Sequence, residues 1–178
     1  MSSQDKLGTV MITEEEIAAR VAELGKELSN LYSDAPKPPV LVCILKGSIV
    51  FTADLARAMD IDVCIDFMKV SSYGSGTEST GDIVIQKDLD TDIRERDVLL
   101  VEDIIDTGRT LYKLREMLAA RQPRSIKICT FLDKPARRVV DLAPDYSGYS
   151  VEDRFIVGYG LDFAEKYRNI PYITCIDE

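Results

Sequence analysis

The sequence contains no histidine and no tryptophan among its 178 residues. Without an imidazole, the Ser-His-Asp and Cys-His nucleophilic schemes, His-ligated metal sites and the usual general base near neutral pH are excluded, so proton transfer falls to carboxylates or lysines. Cysteine is scarce: Cys43, Cys64, Cys129 and Cys175 are far apart, form no CxxC pair, and each lies in or beside an apolar run. That is the pattern of buried reduced thiols, not of a disulfide framework or a metal cluster. No apolar stretch approaches the roughly 18 residues that span a bilayer. The Met1-Ser2-Ser3-Gln4-Asp5 start has neither the charged nor the apolar region of a secretory signal, so the expected location is the cytoplasm, with no membrane partner. Positive charge is in deficit: 22 Lys and Arg stand against 31 Asp and Glu, a net charge of −9. An acidic whole argues against nucleic acid as a general partner, because neutralising phosphates needs a basic face. Repeats and low-complexity tracts are absent, and the length and 46% hydrophobic content fit a single folded domain over 1–178.

What is present reads as alternating strands and helices. Thr13-Glu14-Glu15-Glu16 has the form of a capping box, and Ile17, Val21, Leu24, Leu28 and Leu31 follow at helical spacing, predicting a helix to about Tyr32. After a Pro-rich break, the VLVCIL run from Val40 reads as a strand buried on both faces, ended abruptly by Lys46-Gly47-Ser48. A helix is expected over 49–59 and a strand where Ile61, Val63, Ile65 and Phe67 alternate. Residues 71–81 lack either periodicity and read as a mobile loop. Strands are expected at 83–85, 98–101, 126–132, 155–157 and 172–176, with a helix carrying Leu111, Leu114, Met117 and Leu118. This order predicts an α/β fold whose mainly parallel sheet is covered on both faces through right-handed crossovers.

Ligands of open α/β sheets bind beyond the carboxyl ends of the strands, which directs attention to 98–111. There VLLV is followed by Glu102-Asp103, which reads as the start of an acidic loop, then Ile104-Ile105, Asp106-Thr107-Gly108-Arg109-Thr110 and a helix. Gly108 permits close backbone approach, Thr107 and Thr110 supply hydroxyl donors, and N–H groups converge at a helix start, so this segment is an anion cradle suited to a phosphate monoester. The Walker A spacing and the GxGxxG pattern are both missing, which disfavours nucleoside triphosphate hydrolysis. Glu102 and Asp103 would repel a phosphate unless hydroxyls or a cation lie between. A ribose diol beside Mg²⁺ satisfies both conditions, since ionised carboxylates only accept hydrogen bonds. The segment therefore suggests a ribose phosphate ligand. The alternative is a solvated acidic strand end, with Asp106 as a helix cap.

VEDIIDTGRTL resembles the phosphoribosyl pyrophosphate loop of type I phosphoribosyltransferases, and its VEDIIDTG form resembles the hypoxanthine-guanine phosphoribosyltransferase members closely. Leu45-Lys46-Gly47 resembles that family's pyrophosphate loop. Ser72-Tyr73 with Ser79-Thr80-Gly81-Asp82 resembles its closing lid, and Lys134 with Phe155-Ile156-Val157-Gly158-Tyr159 its purine pocket. Ser48 departs from members that carry a second glycine there. The resemblance implies a mainly parallel twisted sheet flanked by helices, with a small hood built from chain-terminal segments. It implies transfer of a phosphoribosyl group to a 6-oxopurine with Mg²⁺, in a homodimer or homotetramer, with small-molecule substrates.

The resemblance also implies roles. Asp106 is the base for the purine N–H, on the loop that fixes ribose and phosphate through Glu102, Asp103, Thr107, Gly108, Arg109 and Thr110. Lys46, Gly47 and Arg168 hold pyrophosphate, and the Leu45-Lys46 peptide is expected to be cis. Lys134 donates to the purine oxo group, Phe155 stacks on the base and the Ile156 backbone reads its edge. Asp162 lies in the purine site and, with Glu102 and Asp103, binds the metal through its water shell. Ser72 and Tyr73 belong to the lid. Taken singly, Lys134 reads equally as a surface lysine, Phe155 as a core aromatic, and Asp162 with Arg168 as a surface ion pair. Two other functions fit parts of the pattern: a phospho-receiver domain, for which too little chain follows Val98, and an RNA-binding regulator on the same fold, which would need a basic face.

Overall fold

A computed structural model describes residues 6–72 and 83–177 of the chain. Its elements run β1 (Lys6–Ile12), α1 (Glu14–Tyr32), β2 (Val40–Ile44), α2 (Ile49–Ala58), β3 (Cys64–Ser72), β4 (Ile83–Lys87), β5 (Asp97–Ile105), α3 (Arg109–Ala119), β6 (Ser125–Asp133), β7 (Tyr146–Ser150), β8 (Ile156–Val157) and β9 (Ile173–Asp177). Six strands form the central sheet in the order β4-β3-β2-β5-β6-β7. Within it only the β3–β4 pairing is antiparallel. The two chain ends build a separate three-stranded antiparallel sheet, β1-β9-β8.

Alternation along β2 and β5 sends side chains to two cores. Leu41, Leu99 and Val101 pack with α1 and α2 residues such as Leu24, Leu28 and Phe51. Val40, Val42, Val98 and Leu100 pack with Leu111, Leu114 and Leu118 of α3. Each such side chain contributes about 1.5–3 kcal/mol by leaving water, so a strand apolar on both faces is fixed at the sheet centre. The expected capping box forms in full: Glu16 N donates to Thr13 Oγ1 at 3.2 Å and Thr13 N to Glu16 Oε2 at 2.8 Å.

Strand β5 is longer than its apolar run predicts. It continues through Ile105, paired to β6 as far as Ile105↔Asp133, so Glu102 and Asp103 stand within the strand and not in an acidic loop. Register with β6 holds them there, since Glu102 lies opposite Thr130 and Ile104 opposite Leu132. Strands β1 and β7 were also not foreseen. The loop expected over 71–81 starts too early: Ser71 and the lid residue Ser72 belong to β3, paired with Val84 and Ile83 of β4, while Tyr73 and 79–82 lie outside the described residues.

Candidate active site

The parallel strands β2, β5 and β6 end at one sheet edge, and the turns that follow them converge there. A cleft of about 300 Å³ is lined by Leu45, Gly47 and most of 102–111. A second, of about 390 Å³, is lined by Lys134, Arg137, Asp153, Phe155, Ile156 and Asp162 among others. Ile104 and Asp106 line both clefts. The sequence-predicted phosphate and ribose residues other than Arg109 thus line one hollow and the purine residues its neighbour, with Asp106 on the wall they share.

The phosphate loop is held from behind. Gly108, at the cap of α3, has φ 81°, a left-handed conformation that glycine adopts without the cost a Cβ imposes. It, and not Asp106, occupies the cap position, so the alternative of Asp106 as a helix cap is not realised. Arg138 Nε donates to the Asp106 carbonyl at 3.2 Å and Val139 N to the Thr107 carbonyl at 3.1 Å. Arg138 also reaches the Asp133 carboxylate and the Leu142 carbonyl. These contacts fix the loop backbone, with Thr107 and Thr110 lining the cleft beside the start of α3.

Glu102 and Asp103 are half-buried in the wall of the first cleft. Burial, then the neighbouring Asp103 charge, pushes the Glu102 carboxyl well above the ordinary carboxylate range, and burial pushes Asp103 up as well. Asp103 N donates to Glu102 Oε1 at 3.1 Å and Ile104 N to Asp103 Oδ1 at 2.6 Å. Neither acid makes an ion pair among the described residues, though the Arg168 charge acts on Asp103 from a distance. Two adjacent, half-buried carboxylates without a direct cation fit a hydroxyl-rich or metal-bearing ligand. No group of three or more His, Cys, Asp and Glu side chains forms a metal cage among the described residues. Asp162 lines the second cleft, apart from the other two acids. Glu102 and Asp103 alone offer at most two carboxylates, so an ion meeting them would need its other ligands from elsewhere.

The Leu45–Lys46 peptide is cis. Lys46 Nζ lies 3.1 Å from both Glu165 carboxylate oxygens. Arg168 Nη2 lies 2.9 Å from Asp162 Oδ1 and 3.6 Å from Glu165 Oε2. Glu165 thus brings the two sequence-predicted pyrophosphate cations to one carboxylate, and the Asp162–Arg168 ion pair named as an alternative does form. Arg168 Nε is buried with no hydrogen-bond partner among the described residues, and Arg168 lines neither of the two clefts.

In the second cleft the single-residue alternatives fail. Lys134 is 8% exposed and so is no surface lysine. Its Nζ donates to the Arg154 carbonyl at 2.7 Å and lies 3.5 Å from Asp153 Oδ1, which leaves one of its three protons for a ligand. Phe155 is 54% exposed and so is no core aromatic; it meets Phe163 edge-on at 5.4 Å, presenting a face on which a ring can stack. Sequence reading missed Arg137, Arg138 and Asp153. Arg137 Nε lies 2.8 Å from Asp106 Oδ1 and its Nη1 3.2 Å from Asp153 Oδ2.

Residues 10–164 match the family model of the phosphoribosyl transferase domain. A hypoxanthine phosphoribosyltransferase of Salmonella typhimurium is 54% identical over 164 residues, 92% of this chain and 92% of that protein. A hypoxanthine-guanine phosphoribosyltransferase of Streptococcus thermophilus is 50% identical over 169 residues, 95% of this chain and 93% of that protein. The crystal structure of a hypoxanthine phosphoribosyltransferase from Staphylococcus aureus superposes with a TM-score of 0.92 at 48% identity, covering 96% of this chain and 92% of that one.

Proposed function

This chain belongs to the phosphoribosyl transferase domain family, and from that premise we propose that it is a purine-salvage enzyme. It transfers the phosphoribosyl group of phosphoribosyl pyrophosphate to hypoxanthine or guanine, giving the nucleoside monophosphate and pyrophosphate. The observation that carries this reading is the pair of adjoining clefts that share Asp106, one lined by Glu102, Asp103, Thr107 and Thr110 and the other by Lys134, Phe155 and Asp162.

The 5′-phosphate sits against the N–H groups and hydroxyls of 107–110, where the α3 dipole favours an anion. The ribose hydroxyls donate to Glu102 and Asp103. In the neighbouring cleft Lys134 donates to the 6-oxo group, Phe155 stacks on the ring, and the Ile156 backbone and Asp162 read its edge. Adenine carries an amine where Lys134 needs an acceptor, and a buried donor facing a donor is a strong ground for rejection. During transfer the bond from C1′ to pyrophosphate oxygen breaks, its electron pair leaving with pyrophosphate, and a purine ring nitrogen bonds to C1′. Asp106 takes or shares the proton of the imidazole-ring N–H, held near it by the loop that anchors the sugar. Gly47 N–H, Lys46 and Arg168 receive the departing charge. For the cations to do so, Glu165 must give up its hold on Lys46.

Mg²⁺ belongs to this reading, with Glu102 and Asp103 as the residues that would meet it and Asp162 reaching it through water. When bound it neutralises charge on pyrophosphate oxygens. A cytoplasmic location and a homodimeric or homotetrameric state belong to it as well, the latter measurable by light scattering.

The test is to offer hypoxanthine, guanine, xanthine and adenine separately with phosphoribosyl pyrophosphate, with and without Mg²⁺, and to follow nucleotide formation. The reading expects nucleotide from hypoxanthine or guanine only when Mg²⁺ is present. Turnover of adenine alone, or of none of the four, would overturn it.

A further inference from the structure

Four charged side chains of alternating sign run along the wall of the purine cleft. Lys134 Nζ lies 3.5 Å from Asp153 Oδ1, Asp153 Oδ2 lies 3.2 Å from Arg137 Nη1, and Arg137 Nε lies 2.8 Å from Asp106 Oδ1. The chain begins at the group that would read the purine oxo oxygen and ends at the group that would take the purine proton. Local structure sets the spacing, for Lys134 immediately precedes a single 3-10 turn, Pro135–Arg137, which carries Arg137 round to the same cleft.

Arginine suits this place because its planar fork offers separate nitrogens to separate carboxylates. Here Nε serves Asp106 and Nη1 serves Asp153. Asp106 Oδ2 accepts no hydrogen bond among the described residues, so one carboxylate oxygen is held while the other stays available. Asp153 in turn is held below the usual carboxylate range, first by its hydrogen bond from Arg137. It therefore remains an anion and a fixed anchor wherever the enzyme works near neutral pH.

We propose that Arg137, anchored by Asp153, is a positioning residue that orients the Asp106 carboxylate for proton transfer from the purine and ties its placement to that of Lys134. The proposal rests on the reading of Asp106 as the base. Arg137 touches no reacting atom; it fixes one Asp106 oxygen so that the other faces the ring.

A double-mutant cycle tests this, because two residues that act through one step are not additive. Arg137→Gln is predicted to lower kcat by about tenfold, the scale of a misaligned general base, with KM for phosphoribosyl pyrophosphate within about twofold of the parent. In an Asp106→Asn background the same substitution is predicted to cost less than about twofold further. Arg137→Lys keeps the charge but offers one nitrogen in place of two, and is predicted to behave like Arg137→Gln. At 45% exposed, Arg137 tolerates either change without unfolding, which thermal melts verify. Equal losses in both backgrounds, no loss at all, or full recovery by lysine would each overturn the bridge. Near-normal turnover of Asp106→Asn would instead remove the base, and with it the step on which the bridge acts.

Discussion

Gly47→Ala reports directly on how the phosphate cleft is built. A Cβ at Gly47 would stand 1.6 Å from Asp103 Oδ2 and 2.7 Å from its Cγ, so the carboxylate must move. The glycine is required by space and not by its own conformation, since its φ lies outside the left-handed region. Displacing Asp103 breaks its 2.6 Å hydrogen bond from Ile104 N, a loss of about 1 kcal/mol. Forcing a methyl into filled volume costs about 1–3 kcal/mol more. The sum, about 2–4 kcal/mol, lowers Tm by about 5–12 °C for a chain of this size. Urea unfolding measures the first figure and differential scanning calorimetry the second. Titration calorimetry with phosphoribosyl pyrophosphate and Mg²⁺ is expected to show weakened binding, because Asp103 no longer meets the ribose. In an Asp103→Ala background the methyl meets empty space, and the cost is expected to fall below about 1 kcal/mol. Equal cost in both backgrounds, or unchanged ligand affinity, would refute the reasoning.

Three further predictions concern neighbouring groups. Glu102→Gln is expected to raise stability at neutral pH while weakening sugar-phosphate binding about tenfold or more. Burial raises this carboxyl, so the folded protein keeps a proton that the unfolded chain has released; stability therefore falls as pH rises above 4.5, the ordinary glutamate value. The gain from glutamine vanishes below that pH, and melts at pH 4 and pH 8 check the sign. Asp106→Asn is expected to reduce kcat by about 10²–10⁴ with sugar-phosphate affinity retained, as steady-state kinetics and titration calorimetry will show. Its stability is expected to change little because its ion pair with Arg137 is exposed. Lys134→Gln is expected to lower the preference for hypoxanthine over adenine by at least about tenfold, read from the ratio of kcat/KM values.

Local signals in the sequence were the legible ones. The Thr13–Glu16 capping box, the apolar VLVCIL run and the Thr107–Thr110 turn each depend on neighbours within a few positions, and each forms as expected. Strand β5 was misjudged because two carboxylates after an apolar run resemble a loop; what keeps them in the sheet is pairing with β6, a partner more than twenty residues away. Strand β7 has the sequence YSGYS, without an apolar stripe, because it lies at the sheet edge. Strand β1 owes its existence to β9 at the far end of the chain. The same distinction runs through the site. Lys134 and Phe155 were visible by resemblance, whereas Arg137 became informative only once folding set it between Asp106 and Asp153, residues 31 and 16 positions away. Charge alternation across such separations leaves no pattern along a chain.

The shared wall at Asp106 makes one geometric demand, and a crystal structure with inosine monophosphate tests it. The account predicts the phosphate against residues 107–110, the ribose hydroxyls on Glu102 and Asp103, and the purine between Phe155 and Lys134 with its imidazole edge toward Asp106. A nucleotide whose pentose lies away from Glu102 and Asp103, or whose base lies outside the Lys134 cleft, would contradict it.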